Sequence, residues 1–331
     1  MPFKKIGLDP QDVVTQVALE VLSRSWSAAE AAKAFYIPQL AEEPDGFGIG
    51  VLVFDPDTYC KVGVTPRYKI YTAGDATLRR TIQSGGKVPM ATLAVQLDRS
   101  NAIWTYAGER ATHAPFNDVQ HLLEGDGRPW HPFGNAGAIR VVARLFEADP
   151  DLDPRALWLR FVRKHGGNQG IDIDASVAES EQLTCDVNRA AGLLMRSRKK
   201  FPPGVDAAVN LYCEFCATRL DIADMLRLYA YLANDGIGLD GNPVLPVRYA
   251  LELREVLRST GAYEETVQLM RQLVPLKPLA IKTAVSGYIV LVCEGMVVVV
   301  CDPRKNDAGN SVPGIYALRR LAERFAQAKG W

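Results

Sequence analysis

Apolar residues recur at helical spacing over positions 10–34, with Pro10 at the start and Ser27 placed to cap a restart. The next stretch, GFGIGVLVFDPDTYCKVGVT, changes to short apolar runs and predicts a strand pair turned at Asp55 to Asp57. The helical period then returns for most of the chain. KVPMATLAVQL (87–97), NAGAIRVVARLF (135–146), ESEQLTCDVNRAAGLLMR (179–196), AAVNLYCEFCAT (207–218), DIADMLRLYAYLAN (221–234) and VRYALELREVLRST (247–260) each predict a helix. LAIKTAVSGYIVLVCEGMVVVVCDP (279–303) is rich in β-branched residues and predicts strands that turn at Glu294-Gly295. GIYALRRLAERFAQAKGW (314–331) predicts an amphipathic helix.

Strands near both ends with helices between them predict an α+β fold, in which an antiparallel sheet flanked by helices is built from both chain ends and an all-helical domain is inserted. The corresponding boundaries are 1–80 plus 261–331 for the sheet domain and 81–260 for the helical domain, with the catalytic site between them.

Composition narrows the function. The 331 residues are 48% hydrophobic and 23% charged, enough for a sizeable core. Formal net charge is zero, which gives no general attraction to nucleic acid or to an anionic membrane. The N-terminal lysines are not followed by an apolar run, so a secretory signal is not expected and a cytoplasmic location is. Six scattered cysteines do not form a disulfide framework. Cys213 and Cys216 form an isolated CxxC, best read as two small apolar groups on a buried helix face. His113, His121, His131 and His165 show no metal-ligand spacing, and no cofactor is expected.

One short stretch carries candidate chemistry: QSGGK, residues 83–87. A phosphate-binding loop needs glycine five residues before Gly86 and a hydroxyl after Lys87; the chain has Thr81 and Val88 there. Ser84 and Lys87 have S-x-x-K spacing, which puts both side chains on one helical face. A desolvated lysine loses its proton more readily and can act as a base on the serine. Spacing alone is weak, because Ser197 and Lys200 share it inside a basic run. Lys282-Thr283-Ala284 adds a near match to the K-[ST]-G strand of serine acyl-transfer enzymes.

Several further segments follow one family's order. AFYIPQLA, GDATLRRTIQSGGK, HPFGNAGAI, SEQLTCDVN, LYCEFCA, YLANDG, TGAY, KTAVSGYI and GNSVPGI run from about Ala31 to Gly314. In these the chain resembles the serine-dependent glutaminases, as a divergent member of a family with a β-lactamase/transpeptidase-like fold. The resemblance implies Ser84 as nucleophile, Lys87 as its base, and the backbone amides of Ser84 and Val285 as the oxyanion hole. It places Tyr263 and Tyr36 near the leaving amine. It assigns Glu181 to the substrate α-ammonium, and Gln83, Asn135, Asn188 and Tyr212 to the rest of the amino-acid head. One acidic group with several neutral donors suits a free amino acid. The implied reaction is cleavage of the glutamine γ-carboxamide without a cofactor, by a homodimer or homotetramer.

The departures from the family gather near these positions. Gly85 and Gly86 replace larger residues, which predicts a looser turn under the nucleophile. Ala111, Thr112 and His113 stand in place of P-S-G, His131 in place of the Asn of N-P-M, and Val187 in place of the Arg of R-N. Ala284 and Tyr288 replace glycines. They keep open another amino-acid amide or γ-glutamyl conjugate as substrate, and a non-catalytic binding homologue. A β-lactamase or transpeptidase is a further possibility, opposed by the ordered glutaminase-like segments and by the expectation of no secretory signal.

Overall fold

The computed structural model describes residues 3, 7–27, 37–97, 102–112, 114–115, 117–148 and 153–329. Eight strands are present among them: β1 (Gly48–Phe54), β2 (Tyr68–Gly74), β3 (Arg80–Thr81), β4 (Asp172–Ile173), β5 (Thr218–Leu220), β6 (Pro278–Thr283), β7 (Tyr288–Cys293) and β8 (Met296–Cys301). Helix α1 (Pro10–Ser23) precedes β1–β3, and α2 (Lys87–Leu97), α3 (Ala102–Ala107), α4 (Gln120–Glu124) and α5 (Asn135–Ala148) follow them. Then come α6 (Pro154–Gly166), α7 (Ala175–Thr184), α8 (Asp186–Ser197), α9 (Val205–Cys216), α10 (Ile222–Ala233), α11 (Val247–Thr260), α12 (Thr266–Gln272) and α13 (Val312–Lys329).

The main sheet has the order β2-β1-β8-β7-β6, with every neighbour antiparallel. Its strands come from both ends of the described chain, as the α+β pattern predicts. Each central strand is buried on both faces, and alternate residues serve two cores. Ile49, Val51, Ile289, Leu291, Val298 and Val300 join a core with α1 and α13. Leu52, Val290, Val292, Val297 and Val299 face the other way, into a core shared with the helices. Each such side chain contributes roughly 1.5–3 kcal/mol through burial.

Two glycines of β1 explain how a helix reaches the sheet. A Cβ on Gly48 would lie 2.7 Å from Ile222, and one on Gly50 2.5 Å from Ile222 and 2.8 Å from Leu226. The absence of side chains there lets α10 lie close against the strand. The other face of α10 then reaches the stretch around Ser84.

Three short strands form a second sheet, β3-β5-β4. It lies below the length at which a period-2 pattern can be read, and the sequence does not reveal it. Tyr288 joins the two sheets: its buried hydroxyl donates to Leu220 O at 2.6 Å.

Several predicted boundaries need correction. The helix expected over 10–34 ends at Ser23, where Arg24 turns to extended backbone; 28–34 lie outside the described residues. The guanidinium of Arg24 instead lies over the Trp26 and Tyr316 rings, 4.8 Å from each centroid. The strand expected directly after Asp55–Asp57 begins at Tyr68, because residues between form turns held by contacts such as Thr58 Oγ1 accepting from Arg67 N. The helix over 179–196 breaks at Cys185 into α7 and α8. None of the described helices is long and apolar enough to cross a membrane.

Candidate active site

The Ser84 stretch is launched by β3 and enters α2 through a tight 3-10 turn, Gln83–Gly86. Ile82 N donates to Thr218 O at 2.7 Å, which anchors the approach to the second sheet. Gln83 then takes a left-handed φ of 46°. That conformation is unfavourable for a side-chain-bearing residue and persists only where surrounding contacts impose it. It turns the chain sharply just before Ser84. The turn packs on β6 and β7 on one side and on α9 on another.

Gly85 and Gly86 do not leave the turn loose. Tyr229 of α10 donates its hydroxyl to Gly85 O at 2.6 Å. A Cβ on Gly85 would sit 3.2 Å from Ile82 and 3.3 Å from Met225; one on Gly86 would sit 3.1 Å from Met90 and 3.6 Å from Trp158. Larger neighbours fill the volume that side chains here would take. Trp158 is itself fixed, stacked on Phe215 and donating to Thr218 Oγ1 at 2.8 Å. The expected slack is absent for this packing reason.

Ser84 and Lys87 are both buried, one helical turn apart. Lys87 Nζ donates to Asn135 Oδ1 at 2.6 Å. Burial lowers the Lys87 pKa to about 8, although nearby Cys216 and Glu181 act in the opposite direction. The Ser84 hydroxyl is hydrogen-bonded to the Tyr263 phenol. Burial holds the Tyr263 proton well above its ordinary range, so the phenol stays neutral. Tyr263, like Gln83, has a left-handed φ, here 56°.

Lys282 was legible in the K-T-x motif, yet its place here was not. Its Nζ donates to Thr283 O at 2.7 Å and Tyr263 Oη at 3.2 Å, and lies 4.7 Å from the Tyr263 ring centroid. Burial lowers its pKa well below the usual value, and the Lys87 charge lowers it further. The Lys87 cation close by favours the neutral amine at Lys282.

Of the other expected residues, Asn135, Tyr212, Asn188 and Glu181 cluster about Lys87. Asn135 begins α5, accepts from Tyr212 Oη at 3.3 Å and donates to Asn188 at 2.9 Å. Glu181 on α7 is fully buried, and its charge reaches Lys87, Cys213 and Cys216. Gln83 is buried with its amide toward Thr81 Oγ1 at 3.5 Å. Val285 is half-buried just past the end of β6, and packs against a small cluster that includes Leu40 and Val177. Tyr36 lies outside the described residues. Cys213 and Cys216 are buried in α9, as the CxxC reading expected, but Cys216 also touches the site: Tyr212 hydrogen-bonds to it and both lysines feel it. His131 was noted only as a departure. Its Nδ1 accepts from Phe133 N and Gly134 N, both at 3.2 Å, and burial lowers its pKa to about 3. It is neutral at ordinary pH, with its proton on Nε2.

An α+β enzyme of the β-lactamase-like fold is the class that this sheet and its flanking helices define. The glutaminase family pattern matches residues 32–328, and the chain belongs to the glutaminase family as an amidohydrolase of that type. A glutaminase of Aeromonas hydrophila subsp. hydrophila is 35% identical over 298 residues, 89% of this chain and 92% of the relative. A glutaminase of Pseudoalteromonas translucida is 33% identical over 320 residues, covering 96% and 97%. Among solved structures, Mglu in its glutamate form has a TM-score of 0.81 and 26% identity, over 96% of this chain and 68% of that one. The probable glutaminase ybaS, 24% identical, has a TM-score of 0.79 and covers 98% of both chains; that similarity concerns the fold.

Proposed function

We propose that the protein hydrolyses the γ-carboxamide of L-glutamine to L-glutamate and ammonia through an acyl-enzyme on Ser84. The observation that carries this reading is a buried serine one turn from a buried lysine whose pKa lies at about 8. A substantial fraction of such a lysine is neutral at mildly alkaline pH and available as a base. The relatives' shared name supports glutamine as substrate, and Mglu was solved in a glutamate form.

Neutral Lys87 takes the Ser84 proton as Oγ attacks the carboxamide carbon. The backbone amides of Ser84 and Val285 receive the oxyanion, and the N-terminal end of α2 adds favourable potential. Tyr263, hydrogen-bonded to Ser84, relays a proton to the departing nitrogen. The C–N bond breaks, ammonia leaves, and Ser84 carries the γ-glutamyl ester. Water gives up a proton to the same relay, attacks the ester, and releases glutamate with the serine hydroxyl restored. Tyr36 serves as a second group beside the leaving amine.

The head group is held opposite. Glu181 takes the α-ammonium, and Gln83, Asn135, Asn188 and Tyr212 take the remaining polar atoms. Asn135 suits this role: its oxygen faces Lys87 and Tyr212, and one of its two amide protons goes to Asn188. The division into a sheet domain (1–80 with 261–331) and a helical domain (81–260), a cytoplasmic location, and assembly as a dimer or tetramer belong to the same proposal. Ammonia release from glutamine tests the chemistry. The wild type releases it and Ser84→Ala does not; release that survives in Ser84→Ala excludes the serine mechanism.

A further inference from the structure

A narrow pocket with a cavity volume of about 30 Å³ opens beside Tyr263 and Asn135. Pro115, Pro129 and Trp130 supply apolar wall, and His121 and His131 are its imidazoles. Neither histidine has a part in the glutamine chemistry above. His121 is only 9% exposed, and its ring lies against Trp130 with centroids 4.5 Å apart. Its Nδ1 faces Asp118 Oδ2 at 3.2 Å. Its Nε2 is buried with no hydrogen-bond partner among the described residues. Buried polar atoms are nearly always hydrogen-bonded, so an orphan on a pocket wall points to a missing ligand.

The two rings present opposite chemistry. A carboxylate only accepts, so Nδ1 of His121 carries its proton toward Asp118, and in that tautomer Nε2 is a bare acceptor. His131 uses Nδ1 as the acceptor for two backbone amides, so its Nε2 is a donor. A hydroxyl can donate to an acceptor such as His121 Nε2 and accept from a donor such as His131 Nε2, so it matches either wall. A carboxylate cannot donate to His121, an ammonium cannot accept from His131, and an alkyl group does neither.

We infer that this pocket is a leaving-group subsite, and that it takes the N-substituent of a γ-glutamyl amide bearing a hydroxyl on a short alkyl chain. The inference rests on the proposed Ser84 chemistry with Tyr263 at the leaving nitrogen. Tyr263 meets both Ser84 and the pocket, so a substituent on that nitrogen continues past Tyr263 toward His121. The reaction is otherwise unchanged: the C–N bond breaks, the amino alcohol leaves with the relayed proton, and water completes glutamate.

The test compares kcat/KM for glutamate release from glutamine, γ-glutamyl ethylamide and γ-glutamyl 2-hydroxyethylamide. The wild type is expected to prefer the hydroxyethyl amide over the ethyl amide about tenfold, the scale of one buried hydrogen-bonding group. In His121→Ala the ratio falls to near unity, and His121→Gln, which keeps an acceptor, restores part of it. A ratio taken within one protein cancels losses of folded material, and the wild-type comparison needs no variant. A wild-type ratio near unity, or a ratio unchanged in His121→Ala, overturns the subsite. If glutamine turnover still depends on Ser84 in that case, the parent mechanism stands and only the subsite falls. Release that survives in Ser84→Ala, or no release from any of the three amides, overturns both.

Discussion

Lys87 Nζ donates to Asn135 Oδ1 across 2.6 Å, joining the candidate base to the candidate head-group contacts. The same asparagine touches Tyr212 and Asn188. Asn135→Asp puts a negative charge at Lys87 and raises its pKa. The alkaline-rising limb of kcat/KM against pH then moves above its wild-type midpoint, expected near 8. Activity at pH 7 falls by at least tenfold. A pH profile between 6 and 10 checks this, and an unmoved midpoint would remove Lys87 as the base.

Lys87 also links activity to stability. The folded protein gives up this proton near pH 8 and the unfolded chain near 10.5. Between those values the unfolded state binds more protons, so stability from this group rises with pH across that window. Below pH 8 its burial costs at most about 3 kcal/mol. Lys87→Met is therefore expected to lose turnover yet melt a few degrees higher at pH 7, with the advantage shrinking by pH 10. Glu181 loses a nearby cation in this variant, which keeps the gain below that ceiling. Thermal melts at the two pH values read the difference; a lower Tm at pH 7 contradicts it.

Tyr263→Phe keeps the ring beside Lys282 but removes the hydroxyl shared with Ser84. A lost proton relay costs about 10²–10⁴ in rate. The loss is expected in kcat for glutamine with KM nearly constant. A rise in KM at unchanged kcat would make Tyr263 a binding group instead.

The glycines separate into two kinds. Gly86→Ala makes its tightest contact with the flexible end of Met90, Cε at 3.1 Å, which can give way, and it gains helix propensity; the net change is expected within about 1 kcal/mol. Gly261→Ala places a Cβ 1.6 Å from Ile281 O, so backbone must move. That variant is expected to lose more than about 3 kcal/mol and to displace Tyr263, two residues on. Denaturant unfolding of both measures the contrast.

The central strands were readable because runs such as YIVLVC and MVVVVC leave few alternatives. Gly48 and Gly50 read only as strand residues; their use in admitting α10 depends on packing that no local pattern shows. The break at Cys185 was hidden because neither glycine nor proline marks the junction between α7 and α8. Helix α6 was left unassigned, although Asp153 caps it and Gly167 ends it in a left-handed turn. In the site, Ser84 and Lys87 were legible from spacing and order. The Lys282–Tyr263 contact was not, since it joins a strand to a turn 19 residues away. The unpaired His121 nitrogen was equally invisible, because burial decides it.

The central claim is that Ser84 is the nucleophile toward a glutamine-like substrate. Mass spectrometry after exposure to 6-diazo-5-oxo-norleucine, a reactive glutamine analogue, tests it most directly. The predicted result is one covalent adduct, mapped to Ser84 and absent from Ser84→Ala. An adduct on another residue, or none from a preparation that turns over glutamine, would contradict it.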